Sequence, residues 1–145
     1  SVVVSPHLIK QICDEEVNEN YLEYLAELNK KLDHMKNNDM QKLPSAAEST
    51  PELEKLRTKA VARIKEFLLD KISALKKPKT NLQIIQRSVL VRFKFFNSFL
   101  TEHHPAIADE VKQSYVATMS AVYLKQFKTY VTSLAKLELE AAPTK

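Results

Sequence analysis

The stretch that decides the fold is residues 107–137, IADEVKQSYVATMSAVYLKQFKTYVTSLAKL, near the end of the 145-residue chain. Its apolar residues recur every three or four positions, and it contains no proline. This spacing predicts one continuous α-helix, which at 1.5 Å per residue would be roughly 50 Å long. A helix of that length favours an elongated, helical protein.

The composition points to the same fold class, because the chain has no glycine. Tight β-hairpin turns need positive φ angles, and P-loops, dinucleotide-binding turns and nucleophile elbows also depend on glycine. An all-β fold is therefore disfavoured, and those nucleotide and hydrolase chemistries are excluded. With Cys13 as its single cysteine, the chain cannot form an internal disulfide, so we expect a cytosolic setting. Because it begins with Ser1, we expect it to be a piece of a longer protein.

Six prolines divide the chain, and helical spacing between them predicts five helices. Short connections make the last three helices antiparallel neighbours, so we predict an all-α fold, an elongated antiparallel bundle over residues 1–145. A polar stretch near 37–49 predicts a long, mobile inter-helix loop. The predicted helix starts are Ser5-Pro6, a point near Asn18, Ser49-Thr50-Pro51-Glu52, Thr80-Asn81, and a point after His103-His104-Pro105.

Charge is unevenly distributed along the chain. Residues 51–100 hold twelve lysines and arginines against four acidic residues, whereas residues 1–50 hold five against nine. The basic middle could attract nucleic acid, an anionic membrane or an acidic protein, and an ordinary solvated surface is the alternative. Basic and aromatic residues do not interleave as they do in RNA-binding motifs, so we predict no nucleic-acid partner.

The titratable residues predict no catalytic, cofactor or metal site. Adjacent His103 and His104 would point about 100° apart on a helix and could not easily share one metal ion. Cys13 fits a small core position. The acidic pairs Glu15-Glu16 and Asp109-Glu110 lie at predicted helix ends. We therefore expect a protein that is not an enzyme and uses no cofactor.

Aromatic residues mark a possible partner-binding surface. Phe93 and Phe96 fall on the core stripe of the fourth helix, and Tyr130 falls on that of the fifth. Phe95 and Phe99 lie beside the stripe and would form a partner-binding patch if exposed next to Tyr123 or Phe127. Burial under another helix is the alternative. The predicted partner-binding residues are the anchors Phe95, Phe99, Tyr123 and Phe127, with Arg92 and Lys94 steering an acidic rim.

The order of residues resembles the Vps-fifty-two-type subunits of the Golgi-associated retrograde protein (GARP) tethering complex and its endosomal relative (EARP). The resemblance covers the chain except roughly residues 15–51. It rests on four stretches and several further residues. The stretches are SPHLIKQI at 5–12, LRxKAV at 56–61 with Glu66-Phe67, KPxTNxQIxQ at 77–86 and FKFFxxFL at 93–100. The further residues are Glu110, Tyr115-Val116, Thr118, Tyr123-Leu124, Tyr130 and Leu134.

This resemblance implies a non-enzymatic segment of a CATCHR-type tether that acts in endosome-to-trans-Golgi retrograde transport. Such subunits are cytosolic and peripheral on trans-Golgi and endosomal membranes. Their partners are the other tether subunits, SNARE proteins and a GTP-loaded Golgi Rab-type GTPase. Two alternatives stay open, namely a passive structural arm or subunit-assembly element, and a basic face that binds anionic membrane.

Overall fold

The computed structural model describes residues 4–40, 44–77 and 82–141. Within these ranges the chain forms five α-helices and no strand, which confirms the predicted all-α bundle. The long C-terminal helix has 37 residues and is about 55 Å long. The helices are α1 (Pro6–Asp14), α2 (Glu19–Met40), α3 (Pro44–Ala74), α4 (Leu82–His103) and α5 (Pro105–Ala141).

The first two helices begin where capping residues occur. Ser5 caps α1, because its Oγ accepts a hydrogen bond from the amide of Leu8 at 3.1 Å, and Pro6 takes the first helical position. Before α2, Asn18 Oδ1 accepts a hydrogen bond from the amide of Asn20 at 2.9 Å. Both predicted starts are confirmed.

The connection predicted near 37–49 is mostly helical. α2 runs to Met40 and α3 begins at Pro44, so only residues 41–43, outside the described ranges, separate the two helices. Polarity does not prevent a helix, because glutamate and lysine are good helix formers and alanine is the best. Pro44 is tolerated because the first turn of a helix needs no amide donor.

The start of α3 also differs from the prediction. Pro51 was expected at the first turn, but it lies inside α3, seven residues after Pro44. The predicted cap at Thr80-Asn81 lies outside the described residues, and the description of α4 begins at Leu82.

The core is formed by α1, α2 and α3 together with the adjoining ends of α4 and α5. At its centre the ring of Phe96 packs 5.5 Å from that of Phe67 and 6.4 Å from that of Tyr21, measured between centroids. Towards the other end of α3, Leu75 and Met119 form a second, smaller buried cluster. Packing against α5 is therefore concentrated in its first half.

α4 and α5 form an antiparallel hairpin around His104. The amide of His104 donates to the carbonyl of Leu100 at 2.7 Å, and the amide of Ile107 donates to the carbonyl of His104 at 3.0 Å. Further along the hairpin the rings of Phe93 and Tyr115 lie 5.6 Å apart. The two helices therefore run side by side in opposite directions.

The second half of α5 extends beyond this packing. From Ser120 to Ala141 every side chain is exposed except that of Val122, which is half-buried. None of the helices in the described part of the chain is both long and apolar enough to cross a membrane.

Candidate protein-binding surface on α5

The exposed half of α5 carries an unusual amount of apolar surface. Its large apolar side chains between 123 and 137 have exposed fractions of 42–63%. We call this set the outer apolar face. It consists of Tyr123, Leu124, Phe127, Tyr130, Val131, Leu134 and Leu137.

These seven residues occupy one side of the helix. At 100° per residue their side chains fall within an arc of about 140°. The opposite side carries exposed lysines and two threonines whose hydroxyls donate to carbonyls four residues earlier, Thr129 to Lys125 and Thr132 to Lys128. Since large contiguous apolar patches on a soluble domain mark interaction sites, this face is the best candidate for a binding surface.

The charged residues around the outer apolar face are positive over most of the length of the exposed half of α5. No acidic residue occurs between Glu110 and Glu138, whereas Lys125, Lys128 and Lys136 lie in the exposed half of α5. The helix therefore combines an apolar face with a positively charged back, and acidic residues return only at its end.

The structure separates the predicted anchors. Tyr123 and Phe127 belong to the outer apolar face, and Phe95 is 53% exposed on α4. Phe99 is only 4% exposed and packs against the ring of His103 at 4.3 Å, so the alternative of burial holds for this residue and it is not an exposed anchor. Lys94 is exposed. The side chain of Arg92 lies outside the described part of the structure.

Phe95 does not adjoin the outer apolar face. Because α4 and α5 are antiparallel with Phe93 beside Tyr115, Phe95 lies closer to the His104 connection than Phe93 does. Tyr123 is eight residues, or about 12 Å, further along α5 than Tyr115, in the opposite direction. The two exposed regions are therefore separate.

The sequence interpretation missed the C-terminal part of the face. Tyr130 was predicted to pack in the core, yet it is 61% exposed. Its spacing is the same as that of buried residues, so spacing alone does not distinguish this exposed position from a covered one. A signal for exposure was present in the sequence, because α5 has large apolar residues outside the predicted stripe. These residues include Leu124, Phe127 and Val131.

A polar network fixes the hairpin that carries this surface. Arg57 Nη1 donates to the carbonyl of His103 at 3.0 Å, and its Nε donates to Glu54 at 3.1 Å. His103 Nε2 lies 2.6 Å from Asn29 Oδ1, and burial lowers the pKa of His103. These contacts bind the end of α4 to α2 and α3, so α5 leaves the bundle in a defined direction.

The remaining surface offers less for chemistry. A cavity of about 280 Å³ beside the hairpin is lined in part by Arg57 and Lys65, but these cations pair with Glu54 and Glu110 respectively. In the described ranges no three histidine, cysteine or acidic side chains lie close enough together to hold a metal ion.

Comparison with known proteins assigns the family. Residues 1–100 match the model described as Vps52/Sac2 family, coiled-coil. Vacuolar protein sorting-associated protein 52 A of Arabidopsis thaliana is 42% identical over 142 residues, which is 97% of this chain. The protein 52 homologs of Rattus norvegicus and Homo sapiens are 37% and 35% identical over 145 residues, or 99% of the chain.

Each of these alignments covers 20% of the relative, so the chain spans about one fifth of their length. No solved structure matches the chain. The family model covers more than half of the residues, and the identities extend over nearly all of them. The chain therefore belongs to the Vps52/Sac2 family.

Proposed function

We propose that this chain is a non-enzymatic helical segment of a GARP- or EARP-type vesicle-tethering complex that acts in endosome-to-trans-Golgi retrograde transport. Family membership supports this role, and the relatives are named as vacuolar protein sorting-associated proteins. In this role the chain is cytosolic and associates peripherally with trans-Golgi and endosomal membranes. Its partners are the other tether subunits and SNARE proteins.

Within that role, the chain presents the outer apolar face to a GTP-loaded Golgi Rab-type GTPase. The observation that carries this proposal is the row of exposed aromatic and aliphatic side chains on a helix fixed to a packed bundle. Switch regions of Rab proteins expose apolar side chains, and large aromatic side chains are favoured as binding anchors. Tyr123 and Phe127 would be the anchors, and the exposed Lys128 beside the face would steer an acidic rim. Phe95 and Lys94 on α4, and Arg92, would form a second, separate contact.

Calorimetry tests the GTPase proposal directly. The 145-residue chain is titrated with a Golgi Rab-type GTPase loaded with a non-hydrolysable GTP analogue or with GDP. We expect binding only to the GTP form, and we expect Phe127→Ala to weaken it by about tenfold or more because a central anchor is lost.

The matched control is Leu139→Ala, which removes an apolar side chain that lies outside the outer apolar face and is 79% exposed, against 63% for Phe127. Its affinity should change by less than about twofold. Equal binding of the GTP and GDP forms, or equal losses in the two variants, would contradict the proposal.

The structural-arm alternative draws on the length of α5, which reaches about 55 Å. Replacing this segment by an unrelated bundle of equal length would preserve tethering if the segment is only a spacer. If it binds a GTPase, the replacement would abolish tethering. Membrane binding through lysines is distinguished by sedimentation with phosphatidylserine vesicles, which would depend on both salt and lipid charge.

A further inference from the structure

The outer apolar face contains a stricter repeat than an ordinary amphipathic helix. Five of its residues, together with Ala141 one turn further on, are separated by four, three, four, three and four positions, which is the a/d spacing of a coiled-coil heptad. The repeat begins after the last residue of α5 that is buried in the bundle, Met119. The a/d residues are Tyr123, Phe127, Tyr130, Leu134, Leu137 and Ala141, all of them exposed.

A helix with this spacing packs best against another helix, and the side-chain sizes fit a second copy of itself. If two α5 helices run antiparallel and cross near residue 132, each a position faces a d position. Every layer then pairs an aromatic side chain with a smaller aliphatic one. The facing pairs are Tyr123 with Ala141, Phe127 with Leu137, and Tyr130 with Leu134, each formed twice by symmetry.

Charge favours the same arrangement. In the antiparallel register, Lys128 and Glu138 of the second copy lie on the same edge of the pair. Along the helix axis they are offset by about 3 Å. The pair forms twice, so the two ends of the repeat are electrostatically complementary.

A parallel pair is less favourable on two counts. It would place Phe127 against Phe127, and it would bring both α1–α4 bundles to the same end. The antiparallel pair keeps these bundles at opposite ends of the shared segment.

We propose that two copies of this chain pair antiparallel through residues 123–141 of α5. The proposal goes beyond the proposed function. Because the second copy would cover Tyr123 and Phe127, pairing and binding of a GTPase at these residues would exclude each other.

Sedimentation equilibrium of the 145-residue chain tests the pairing. We expect a mass that rises with concentration from the 16.6 kDa of one chain to twice that value. Phe127→Glu should raise the dissociation constant by about 100-fold because it buries a charge in the seam. Phe127 is 63% exposed in the single chain, so this variant and the unchanged chain should have the same circular dichroism at concentrations where both are monomeric.

A charge exchange tests the register. Lys128→Glu should weaken pairing by about tenfold, and the added change Glu138→Lys should restore it to within about threefold. The matched control is Lys125→Glu, which makes the same charge change on the side away from the seam. Equal effects of Lys128→Glu and Lys125→Glu would overturn the register.

Disulfide trapping tests the direction in a Cys13→Ser background. An antiparallel pair joins a Tyr123→Cys chain to an Ala141→Cys chain, whereas a parallel pair joins Ala141→Cys chains to each other. A parallel result overturns the proposal. A chain that stays monomeric at about 500 µM also overturns the proposal. The same holds if the monomer binds phosphatidylserine vesicles or a foreign helix instead of a second copy.

Discussion

At the scale of single residues, the carbonyl of Ile12 holds together the first three helices. The Tyr21 hydroxyl donates to it at 2.7 Å and Arg63 Nη1 donates to it at 2.8 Å, while the guanidinium lies 5.5 Å from the centre of the Tyr21 ring. Burial raises the pKa of Tyr21 to about 12, so its hydroxyl stays a donor at neutral pH. The end of α1 is thereby fixed to both α2 and α3.

Tyr21→Phe should therefore reduce the free energy of unfolding by about 1 kcal/mol, since one hydrogen bond is lost while Arg63 still satisfies the carbonyl. Urea denaturation at neutral pH measures the difference. Tyr130→Phe is the matched control, because Tyr130 is 61% exposed, and it should change stability by less than about 0.5 kcal/mol. Equal stability of Tyr21→Phe and the unchanged chain would show that the hydroxyl contributes nothing.

His103 predicts a pH dependence at the other end of the bundle. Burial lowers its pKa below the ordinary 6.5, and its Nε2 lies 2.6 Å from Asn29 Oδ1. Below pH 6.5 the unfolded chain therefore binds a proton more readily than the folded chain, so stability falls as the pH drops towards the lowered folded pKa. Well above pH 6.5, His103 is neutral in both the folded and the unfolded chain, so it does not make the free energy of unfolding depend on pH.

The measurement is the urea midpoint at pH values on both sides of 6.5, for the unchanged chain and for His103→Gln. We expect the variant to lose a part of the acid destabilisation that the unchanged chain shows, because glutamine does not titrate. Identical pH profiles would rule out His103 as the source.

At the scale of elements, local spacing was sufficient to predict where most helices lie in the sequence. It was insufficient to predict which of their faces are covered. Ser5 and Pro6 determine the start of α1 within one turn, and the unbroken period after Pro105 determines α5. Polarity near 37–49 was misleading because polar residues such as glutamate and lysine are also good helix formers. Phe99, which is buried, and Tyr130, which is exposed, show that burial does not follow from spacing. Whether a residue at helical spacing is covered depends on helices that are distant in sequence.

Pro51 distinguishes the predicted start of α3 from the observed one. Within a helix it removes one amide donor and crowds the preceding turn, whereas at the first position it costs little. Pro51→Ala should therefore stabilise the chain, by roughly 1–3 kcal/mol, and raise its helical circular dichroism. The exposed neighbour Glu52→Ala is the control and should change little. A loss of stability in Pro51→Ala would support a helix that begins at the proline.

At the scale of the whole molecule, the described part of the chain consists of a packed bundle and a mostly exposed extension of α5. The buried residues of α5 end at Met119, and the exposed half continues for more than twenty residues. An isolated helix of that length is marginal in water, because most helix stability in proteins comes from tertiary packing. The extension is therefore the part of the fold that gains most from a partner.

Hydrogen exchange should show this division. At concentrations low enough to keep the chain monomeric, amides of residues 128–141 should exchange at least about 100-fold faster than those of residues 108–119, which pack against α3 and α4. At high concentration, pairing through the outer apolar face should slow exchange in residues 128–141 and leave residues 108–119 unchanged. Phe127→Glu should keep the fast exchange at every concentration, because it prevents pairing without removing a bundle contact. Uniform protection along α5 in dilute solution would mean that the extension is stable as a single helix. Pairing would then not be needed to stabilise it.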